Sequence, residues 1–245
     1  MLRPTTEVVR GVTVVRDDLI EGGTKRPALA EVLPAWKESE FAFPASSSGI
    51  GQLALALAAR DVGKQATLFV AQRGELTKET KAARAAGANI VQVPNGRYSV
   101  VQKEARDYAA KRGALYLPPG FDHPDFAEAV TERARLLNME PTTVVVTVSS
   151  GTLCRALQHA WPSASFVAVK VGMRPRLEAN AVVVKADEEY TQIARMPPPF
   201  PSASYQDAKA WRYCQAGWLF WNIAGNVKAY LPNGHRPKNH ARLSA

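Results

Sequence analysis

The residues best suited to covalent chemistry lie around Lys25. This lysine stands in a glycine-rich frame, Glu21-Gly22-Gly23-Thr24-Lys25-Arg26, which follows the acidic turn Arg16-Asp17-Asp18. A lysine amine attacks a carbonyl group only when it is unprotonated, and burial or a neighbouring cation such as Arg26 lowers the pKa that controls this. The frame therefore predicts that Lys25 forms a Schiff base with an aldehyde, in preference to the alternative of a surface lysine after a turn.

A second segment, Ser149-Ser150-Gly151-Thr152, has the composition of a phosphate-binding loop. It follows a β-branched run at residues 142–148 and precedes a helical pattern at residues 153–160. Backbone N–H groups at the start of a helix, together with hydroxyl groups, bind anions. A plain strand-to-helix cap is the alternative. An amine that attacks an aldehyde and a loop that holds a phosphate are together what pyridoxal phosphate requires.

A third segment, residues 45–51, is rich in serine and glycine and opens the apolar helix predicted at residues 52–59. Its free amides and the hydroxyls of Ser47 and Ser48 are predicted to hold the carboxylate of a substrate or the edge of the cofactor. Two aromatic residues, Tyr98 and Tyr205, are candidates for acid–base or stacking roles, with ordinary packing as the alternative.

The elements that position these residues alternate between strand and helix. Strands are predicted at residues 8–15, 41–43, 65–71, 89–93, 114–117, 142–148 and 165–171, and helices at residues 28–36, 52–59, 78–87, 100–112, 125–137, 153–160 and 205–221. This alternation, with a near-continuous β-branched run at residues 142–148, predicts an α/β protein with mostly parallel sheets. On the last predicted helix, Lys209 is expected to be solvated.

Composition excludes several classes of protein. The chain has 245 residues, 46% of them hydrophobic, and no stretch approaches the roughly 20 apolar residues of a membrane helix. The first residues lack the apolar core of a signal peptide, which favours a cytoplasmic location. The two cysteines are too few for a disulfide framework, and the four histidines show no metal-ligand spacing.

The charge is strongly basic, with a formal net charge of +9. Part of the excess lies in the tail at residues 234–242, which contains no acidic residue. Solubility is one interpretation. A polyanionic partner is the other, because fixed cationic charge attracts nucleic acid without reading its sequence.

The motifs resemble those of the tryptophan synthase β (fold type II) family of pyridoxal-phosphate enzymes, in particular aminocyclopropane-carboxylate deaminase and D-cysteine desulfhydrase. The resemblance rests on residues 16–26, 45–54, 87–91, 149–153 and 205–211, which occur in the family's order. It implies two three-layer α/β lobes with mostly parallel sheets and the cofactor, pyridoxal 5'-phosphate, in the cleft between them. The larger lobe is expected from residues 1–42 and 130–245, the smaller from residues 43–129, and a homodimer is the usual assembly.

A set of compact, bacteriophage-encoded members is similar in three further motifs, Gly22 to Arg26, Pro198 to Ser202 and Asp207 to Trp211. Resemblance to that set implies a role in thymine hypermodification, in which an amino acid attached to a base in DNA is processed. The host cytoplasm would then be the location.

The family's site residues transfer to this chain as follows. Lys25, Ser47 and Tyr98 are the expected catalytic residues. The expected cofactor contacts are Lys25, Ser48, Ser149, Ser150, Gly151, Thr152 and Asn222. The expected substrate contacts are Ser46, Ser47, Gly49, Gln52 and Tyr205, and no metal is expected.

The chain also departs from the family pattern. In one register Ser47 falls on the position that assists proton transfer, and in the other Ile50 replaces an asparagine that contacts the cofactor hydroxyl; both registers stay open. Ile223 stands near the family's threonine for the pyridine nitrogen and cannot hydrogen-bond through its side chain, so Asn222 is the expected substitute. The chain is also shorter than is usual in the family, around residues 172–194, which predicts a more open cleft.

Three hypotheses about function follow. The first is a lyase that acts at Cα of an amino-acid moiety through Lys25, as a decarboxylase of an amino-acid-modified thymine in phage DNA. The second is a lyase or deaminase of a free amino acid. The third, from a different class, is a catalytically inactive binding protein that keeps the fold.

Overall fold

The computed structural model describes residues 1–94 and 96–227. The basic tail singled out from the sequence, residues 234–242, lies outside the described residues. Within them the chain forms two β-sheets and six α-helices. Three short 3-10 turns occur at Asp17–Leu19, Asp207–Lys209 and Trp211–Tyr213.

The larger sheet has six strands in the order β1-β2-β10-β7-β8-β9. Their bounds are β1 Thr6–Val9, β2 Val12–Arg16, β7 Thr143–Val148, β8 Ser165–Lys170, β9 Ala181–Lys185 and β10 Leu219–Asn222. Strands β1 and β2 form an antiparallel hairpin, and every other pairing in this sheet is parallel. Strand β7 is buried at five of its six positions, as expected of a central parallel strand covered on both faces.

The smaller sheet has four parallel strands in the order β5-β4-β3-β6. Their bounds are β3 Glu40–Pro44, β4 Gln65–Ala71, β5 Asn89–Val93 and β6 Leu115–Tyr116. Strand β3 begins at Glu40, ahead of the lobe boundary predicted at residue 43. The α/β class with mostly parallel sheets, predicted from the alternation of elements, is confirmed.

The helices contribute much of the hydrophobic core, which also contains residues of both sheets. Their bounds are α1 Lys25–Val32, α2 Gly51–Asp61, α3 Lys78–Ala85, α4 Tyr98–Arg112, α5 Pro124–Arg135 and α6 Thr152–Ala160. Helix α1 packs against α2 and α5, and α5 packs against α6. Every residue of α2 from Gly51 to Ala59 is buried. Most of these residues are alanine or leucine, so the helix packs against its neighbours on all sides.

Two predicted elements differ from the structure. The single strand predicted at residues 8–15 is a hairpin, because Arg10 and Gly11 both adopt positive φ (52° and 76°) and reverse the chain. The helix predicted at residues 205–221 is wrong. That segment contains two 3-10 turns and strand β10, which pairs with both β2 and β7.

The connection from β8 to β9 is unusual for a parallel pair. Residues 171–180 link the two strands, and this connection contains no helix. Parallel strands are normally joined by a dozen or more residues that include a helix. The segment that looked shortened in the sequence therefore contains a strand but lacks the helical cover before it.

Among residues 1–94 and 96–227, no helix combines the length and the apolar character needed to cross a membrane.

Candidate active site

A cavity of about 570 Å³ lies where the strands of both sheets end. From the smaller sheet it is lined by Phe43 and Val70, from the larger sheet by Thr147 and Val148, and from the residue after β10 by Ile223. The carboxyl ends of parallel strands are where α/β proteins bind ligands, because the loops that follow the strands converge there. The volume falls within the range of sites for small molecules and cofactors.

Lys25 is the first residue of α1, and its half-buried side chain lines this cavity. Within the part of the chain that the structure describes, its amine has no hydrogen-bond or ion-pair partner. The nearest aromatic ring is that of Phe121, with its centroid 5.9 Å from Nζ. Burial lowers the pKa of the Lys25 amine, and the charge of Asp207 opposes this shift. The lowered pKa favours the unprotonated, nucleophilic form of this amine.

The prediction that Arg26 contributes to the lowered pKa of Lys25 is wrong. The guanidinium of Arg26 donates a hydrogen bond to the Asp61 carboxylate at 2.6 Å and lies 3.8 Å from the carboxylate of Glu21. Because these acids neutralise its charge, the cause of the lowered pKa at Lys25 is desolvation.

The residue before Lys25 is held by a buried polar network. The Thr24 hydroxyl donates to Asp17 at 2.6 Å, and the indole N–H of Trp221 donates to that hydroxyl at 2.8 Å. Arg133 donates two further hydrogen bonds to Asp17, at 2.6 and 2.7 Å, and both charged side chains are fully buried. The Asp17 of the sequence motif therefore positions the start of α1 and does not face the cavity.

The glycines before Lys25 are required by a close approach of backbone. Gly23 adopts a φ of +66°, and a Cβ atom there would lie 2.2 Å from the carbonyl oxygen of Ile223. The same carbonyl accepts a hydrogen bond from the Thr24 N–H at 2.9 Å. The backbone carbonyl of Ile223 thus holds the loop before Lys25 in place, and Ile223 also lines the cavity.

The predicted phosphate loop lies at the start of α6 on the cavity wall. Ser149, Ser150 and Gly151 line the cavity, and the hydroxyls of Ser150 and Thr152 are 3.3 Å apart. Gly151 adopts a φ of +96° and provides no side-chain cap to α6, so the first N–H groups of the helix have no intrahelical partner. Gly120 approaches this loop so closely that a Cβ there would lie 2.0 Å from the Ser150 hydroxyl oxygen. Hydroxyls, free amides and a helix start fit a phosphate group.

The serine loop before α2 forms the opposite part of the wall. Ser46, Ser47 and Gly49 line the cavity, whereas Ile50 is packed in the hydrophobic core. The hydroxyl of Ser48 lies 3.2 Å from the Tyr190 hydroxyl, so Ser48 bridges to the larger-sheet side of the cavity.

Gln52, expected to contact substrate, is fully buried beneath this loop, which corrects that prediction. Its amide donates to the carbonyl oxygens of Ser46 and Gly49 at 3.0 and 3.1 Å, and its carbonyl accepts from Thr80. Gln52 therefore fixes the shape of the serine loop, because all of its polar atoms are engaged there.

Tyr98 lines the cavity, and its hydroxyl donates to the Pro44 carbonyl oxygen at 3.0 Å. Burial raises the pKa of this phenol, with smaller contributions from Tyr116 and Tyr190. The hydroxyl therefore stays protonated near neutral pH and acts as a hydrogen-bond donor, not as a base.

Two further predicted contacts are corrected by the structure. Tyr205 is 39% exposed and does not line the cavity. Asn222 is fully buried away from the cavity, and its amide donates to Asp18 and to the Pro201 carbonyl oxygen, both at 2.9 Å. Its carbonyl accepts from Ser202 at 2.7 Å, so no polar atom of Asn222 is left for a cofactor.

The sequence missed Asp207, a buried acid that acts on Lys25. Its carboxylate accepts hydrogen bonds from the hydroxyl of Thr147, which lines the cavity, and from the N–H of Ala224 at 3.2 Å. Burial raises the pKa of Asp207 to about 7, while Thr147, Lys25 and Ala224 oppose the shift. Asp207 begins one of the motifs singled out in the sequence, but the segment was predicted to be a helix, and a helix gave no reason to place this carboxylate beside Lys25.

Lys209, predicted to be solvated, is also buried, and its amine donates to the Glu189 carbonyl oxygen at 2.9 Å. Two other wall residues, Arg73 and Tyr190, also escaped the sequence analysis. Each lies in a connection after a strand, and only the packing of the two sheets brings these connections to one cavity.

The arrangement combines an unpartnered amine, a phosphate cradle and a second anion-binding loop in one cavity. Lys25 fits covalent attachment of an aldehyde, residues 149–152 fit its phosphate, and residues 46–49 fit a carboxylate. The residues therefore fit pyridoxal phosphate together with an amino-acid group. Among the described residues, no group of three or more His, Cys, Asp or Glu side chains is placed to hold a metal ion.

Comparison with known families gives one match that covers most of the chain. A family model described as "Pyridoxal-phosphate dependent enzyme" matches residues 27–213. The matched span begins two residues after Lys25 and does not include it. No curated protein matches the sequence.

Solved structures share the fold at low sequence identity. A homologue of ACC deaminase is 16% identical with a TM-score of 0.77, and the alignment covers 94% of this chain and 91% of that one. Threonine deaminase isoform 2 from Solanum lycopersicum is 16% identical with a TM-score of 0.68, covering 92% and 79%. Diaminopropionate ammonia lyase from Escherichia coli is 13% identical with a TM-score of 0.65, covering 89% and 79%. At these identities the likeness concerns the fold alone.

Proposed function

The chain belongs to the family of pyridoxal-phosphate-dependent enzymes, and from that membership we propose that it breaks a bond at Cα of an amino-acid group bound in the cavity that contains Lys25. The observation that carries this proposal is the unpartnered Lys25 amine in the same cavity as the start of α6. When bound, pyridoxal phosphate withdraws electrons from the bonds at Cα of an attached amino group.

The residues of this chain divide the remaining work. Lys25 would hold the cofactor covalently, and Ser149, Ser150 and the first amides of α6 would hold its phosphate. The serine loop at residues 46–49 would bind the substrate carboxylate and thereby select which bond at Cα is aligned for cleavage. The Lys25 amine would also carry a proton to or from Cα of the bound substrate.

The finer proposal is a decarboxylase of an amino-acid-modified thymine in DNA. In this reaction the bond between Cα and the carboxyl carbon breaks, carbon dioxide leaves, and Lys25 delivers a proton to Cα. The net charge of +9 and the helix-free connection from β8 to β9, whose Gly172 and Met173 line the cavity, favour a substrate larger than a free amino acid.

A lyase or deaminase of a free amino acid is the second candidate. It is favoured by the solved structures that share the fold, which are described as a deaminase homologue, a deaminase and an ammonia lyase. An inactive binding protein is the third candidate, and the unpartnered amine of Lys25 argues against it.

The test is the visible absorbance of the cofactor-loaded protein during titration. One arm adds free amino acids, and the other adds DNA that bears an amino-acid-modified thymine, with carbon dioxide and ammonia measured as products. A spectral change and carbon dioxide with DNA alone support the finer proposal. A change with free amino acids alone supports the second candidate, and no change with either supports the third.

Replacement of the lysine provides the first testable prediction. Lys25→Ala should abolish covalent attachment of the cofactor and reduce activity by on the order of 10³-fold or more, as expected for loss of a covalent catalyst. Attachment is measured by borohydride reduction and mass spectrometry. Lys209→Met is the matched control, because Lys209 is also a buried lysine but its amine is bonded to Glu189. If Lys25→Ala retains covalent attachment and Lys209→Met loses it, the assignment is wrong.

A further inference from the structure

The charged groups of the cavity wall are all cationic. Among the described residues that line the cavity, the charged side chains are Lys25 and Arg73, and no carboxylate faces the cavity. Lys25 is committed to the cofactor. Arg73 is exposed, and within residues 1–94 and 96–227 its guanidinium has no acidic partner. Arg73 is therefore available to bind an anionic group other than the cofactor.

Two more exposed arginines are sequence neighbours of wall residues. Arg97 lies between Gly96 and Tyr98, and Arg174 follows Met173. Both arginines are exposed, and neither makes an ion pair within the part of the chain described by the structure. We call Arg73, Arg97 and Arg174 the arginine rim.

The acidic residues near the wall do not neutralise the arginine rim. Glu75 is paired with Lys81, and Glu189 is paired with Lys185 at 3.3 Å. Glu79 and its sequence neighbour Lys78 in α3 carry opposite charges, so together they add no net charge to this side of the cavity. The charge around the cavity is therefore positive in excess.

The three arginines come from three separate connections. Arg73 follows β4, Arg97 precedes α4, and Arg174 belongs to the helix-free connection between β8 and β9. A single carboxylate is small enough to be bound by one guanidinium. Cations spread over three connections suit an extended anion, in which negative charges repeat along a chain.

We propose that the arginine rim binds the phosphates of a single-stranded nucleic-acid segment while one of its bases enters the cavity. The inference rests on the proposed function, since it requires a base-linked substrate at Lys25. A base must leave its stack before an enzyme can act on it, and the free-energy cost of this step is lower in a single strand, where the base is not paired. Tyr98 and Tyr190 in the wall provide aromatic faces for the entering base.

The experiment measures fluorescence anisotropy of a labelled single-stranded oligothymidine on the full-length, cofactor-loaded protein between 50 and 200 mM salt. Three phosphate contacts to a single strand predict a slope of about −2 in a plot of log affinity against log salt concentration. The triple variant Arg73→Ala, Arg97→Ala, Arg174→Ala should lose most of this slope and bind at least about 10-fold more weakly at the lower salt concentration.

The matched control removes the same charge elsewhere. Lys37→Ala, Arg84→Ala, Lys111→Ala takes three exposed cations from positions outside the cavity wall. It should retain the affinity and the slope of the unmodified protein. Equal losses in the two triple variants would mean attraction by net charge alone and would overturn the proposal.

A second arm separates a nucleic acid from a small anion. Binding of free O-phosphoserine is measured on the same proteins. If the rim variant loses phosphoserine binding but keeps oligothymidine binding, the rim recognises a small doubly charged substrate and the proposal is wrong. Failure of the proposed function has a different signature, because then the unmodified protein shows no absorbance change with any amino-acid group.

Discussion

Asp17 and Asp207 are two buried carboxylates that both act on the segment of Lys25, and their surroundings differ. Asp17 is held by a bidentate bond from Arg133 and by the Thr24 hydroxyl, so a full positive charge compensates it. Asp207 receives hydrogen bonds from Thr147 and Ala224, and within the described chain no cation forms a direct ion pair with it. The first region positions the lysine. The second is able to exchange a proton within the physiological range.

The difference shows that two separate carboxylates serve the segment of Lys25: Asp17 holds its backbone in place, and Asp207 is the one that titrates. A buried ion pair with all its hydrogen bonds made is costly to break, and this fixes the backbone before Lys25. A buried acid without an ion-pair partner instead has a raised pKa, here about 7. Residues with such shifted pKa values next to a nucleophile are typical of functional sites.

The largest effect is expected from breaking the Asp17 region. Arg133→Met leaves the Asp17 carboxylate buried with only a hydroxyl donor, which should lower the free energy of unfolding by about 3–5 kcal/mol. For a domain of this size the corresponding fall in Tm is roughly 6–20 °C. Thermal unfolding of the cofactor-free protein measures it.

The control for this prediction lies on the same helix. Arg135→Met breaks an exposed pair with Glu132 and should cost no more than about 1 kcal/mol. Equal destabilisation by the two variants would contradict the structural role assigned to Arg133.

A smaller effect of a different kind is expected at Asp207. Its pKa is raised from 3.8 to about 7 in the folded protein, so folding favours the protonated acid. That contribution to stability is complete below about pH 4 and is lost as the pH rises through 7. Asparagine does not ionise, so Asp207→Asn removes this loss of stability at high pH. At pH 8 the free energy of unfolding of the variant should exceed that of the unmodified protein by up to about 4 kcal/mol.

Denaturant unfolding of the cofactor-free proteins at pH 5 and pH 8 measures this gain as a difference between the two proteins. Other titrating groups cancel in that difference. An unchanged dependence on pH would show that Asp207 does not titrate in this range.

The smallest effect refines the Asp207 region. The Thr147 hydroxyl lowers the pKa of Asp207, so Thr147→Val should raise that pKa further, by about one pH unit. The pH dependence of unfolding should shift to higher pH by the same amount. Thr131→Val is the matched control, because the Thr131 hydroxyl is bonded to the carbonyl oxygens of Ala127 and Ala156, at 3.0 and 2.9 Å. A shift of equal size in the control would assign the effect to the loss of any buried hydroxyl.

The sequence determined the α/β class, and it singled out Lys25 and the two loops rich in serine and glycine that line the cavity. The strands β4, β5, β7 and β8 are β-branched or apolar runs, and helices α3, α4 and α5 between them begin at a side-chain cap or end at a glycine, so local pattern was sufficient. Lys25 and residues 149–152 could be recognised because their chemistry is concentrated in a few consecutive residues.

Only the tertiary structure decided the rest of the site. Strand β10 has four residues and lies between β2 and β7, so its pairing depends on partners far away in the chain, and the local aromatic pattern predicted a helix instead. For the same reason the predicted helix did not reveal that Asp207 is buried beside Thr147. Asn222, Gln52 and Tyr205 were misassigned because side-chain direction and burial follow from packing, which the order of residue types does not contain. The sequence thus determined which groups are able to react, and the packing of the two sheets decided which of them face one another.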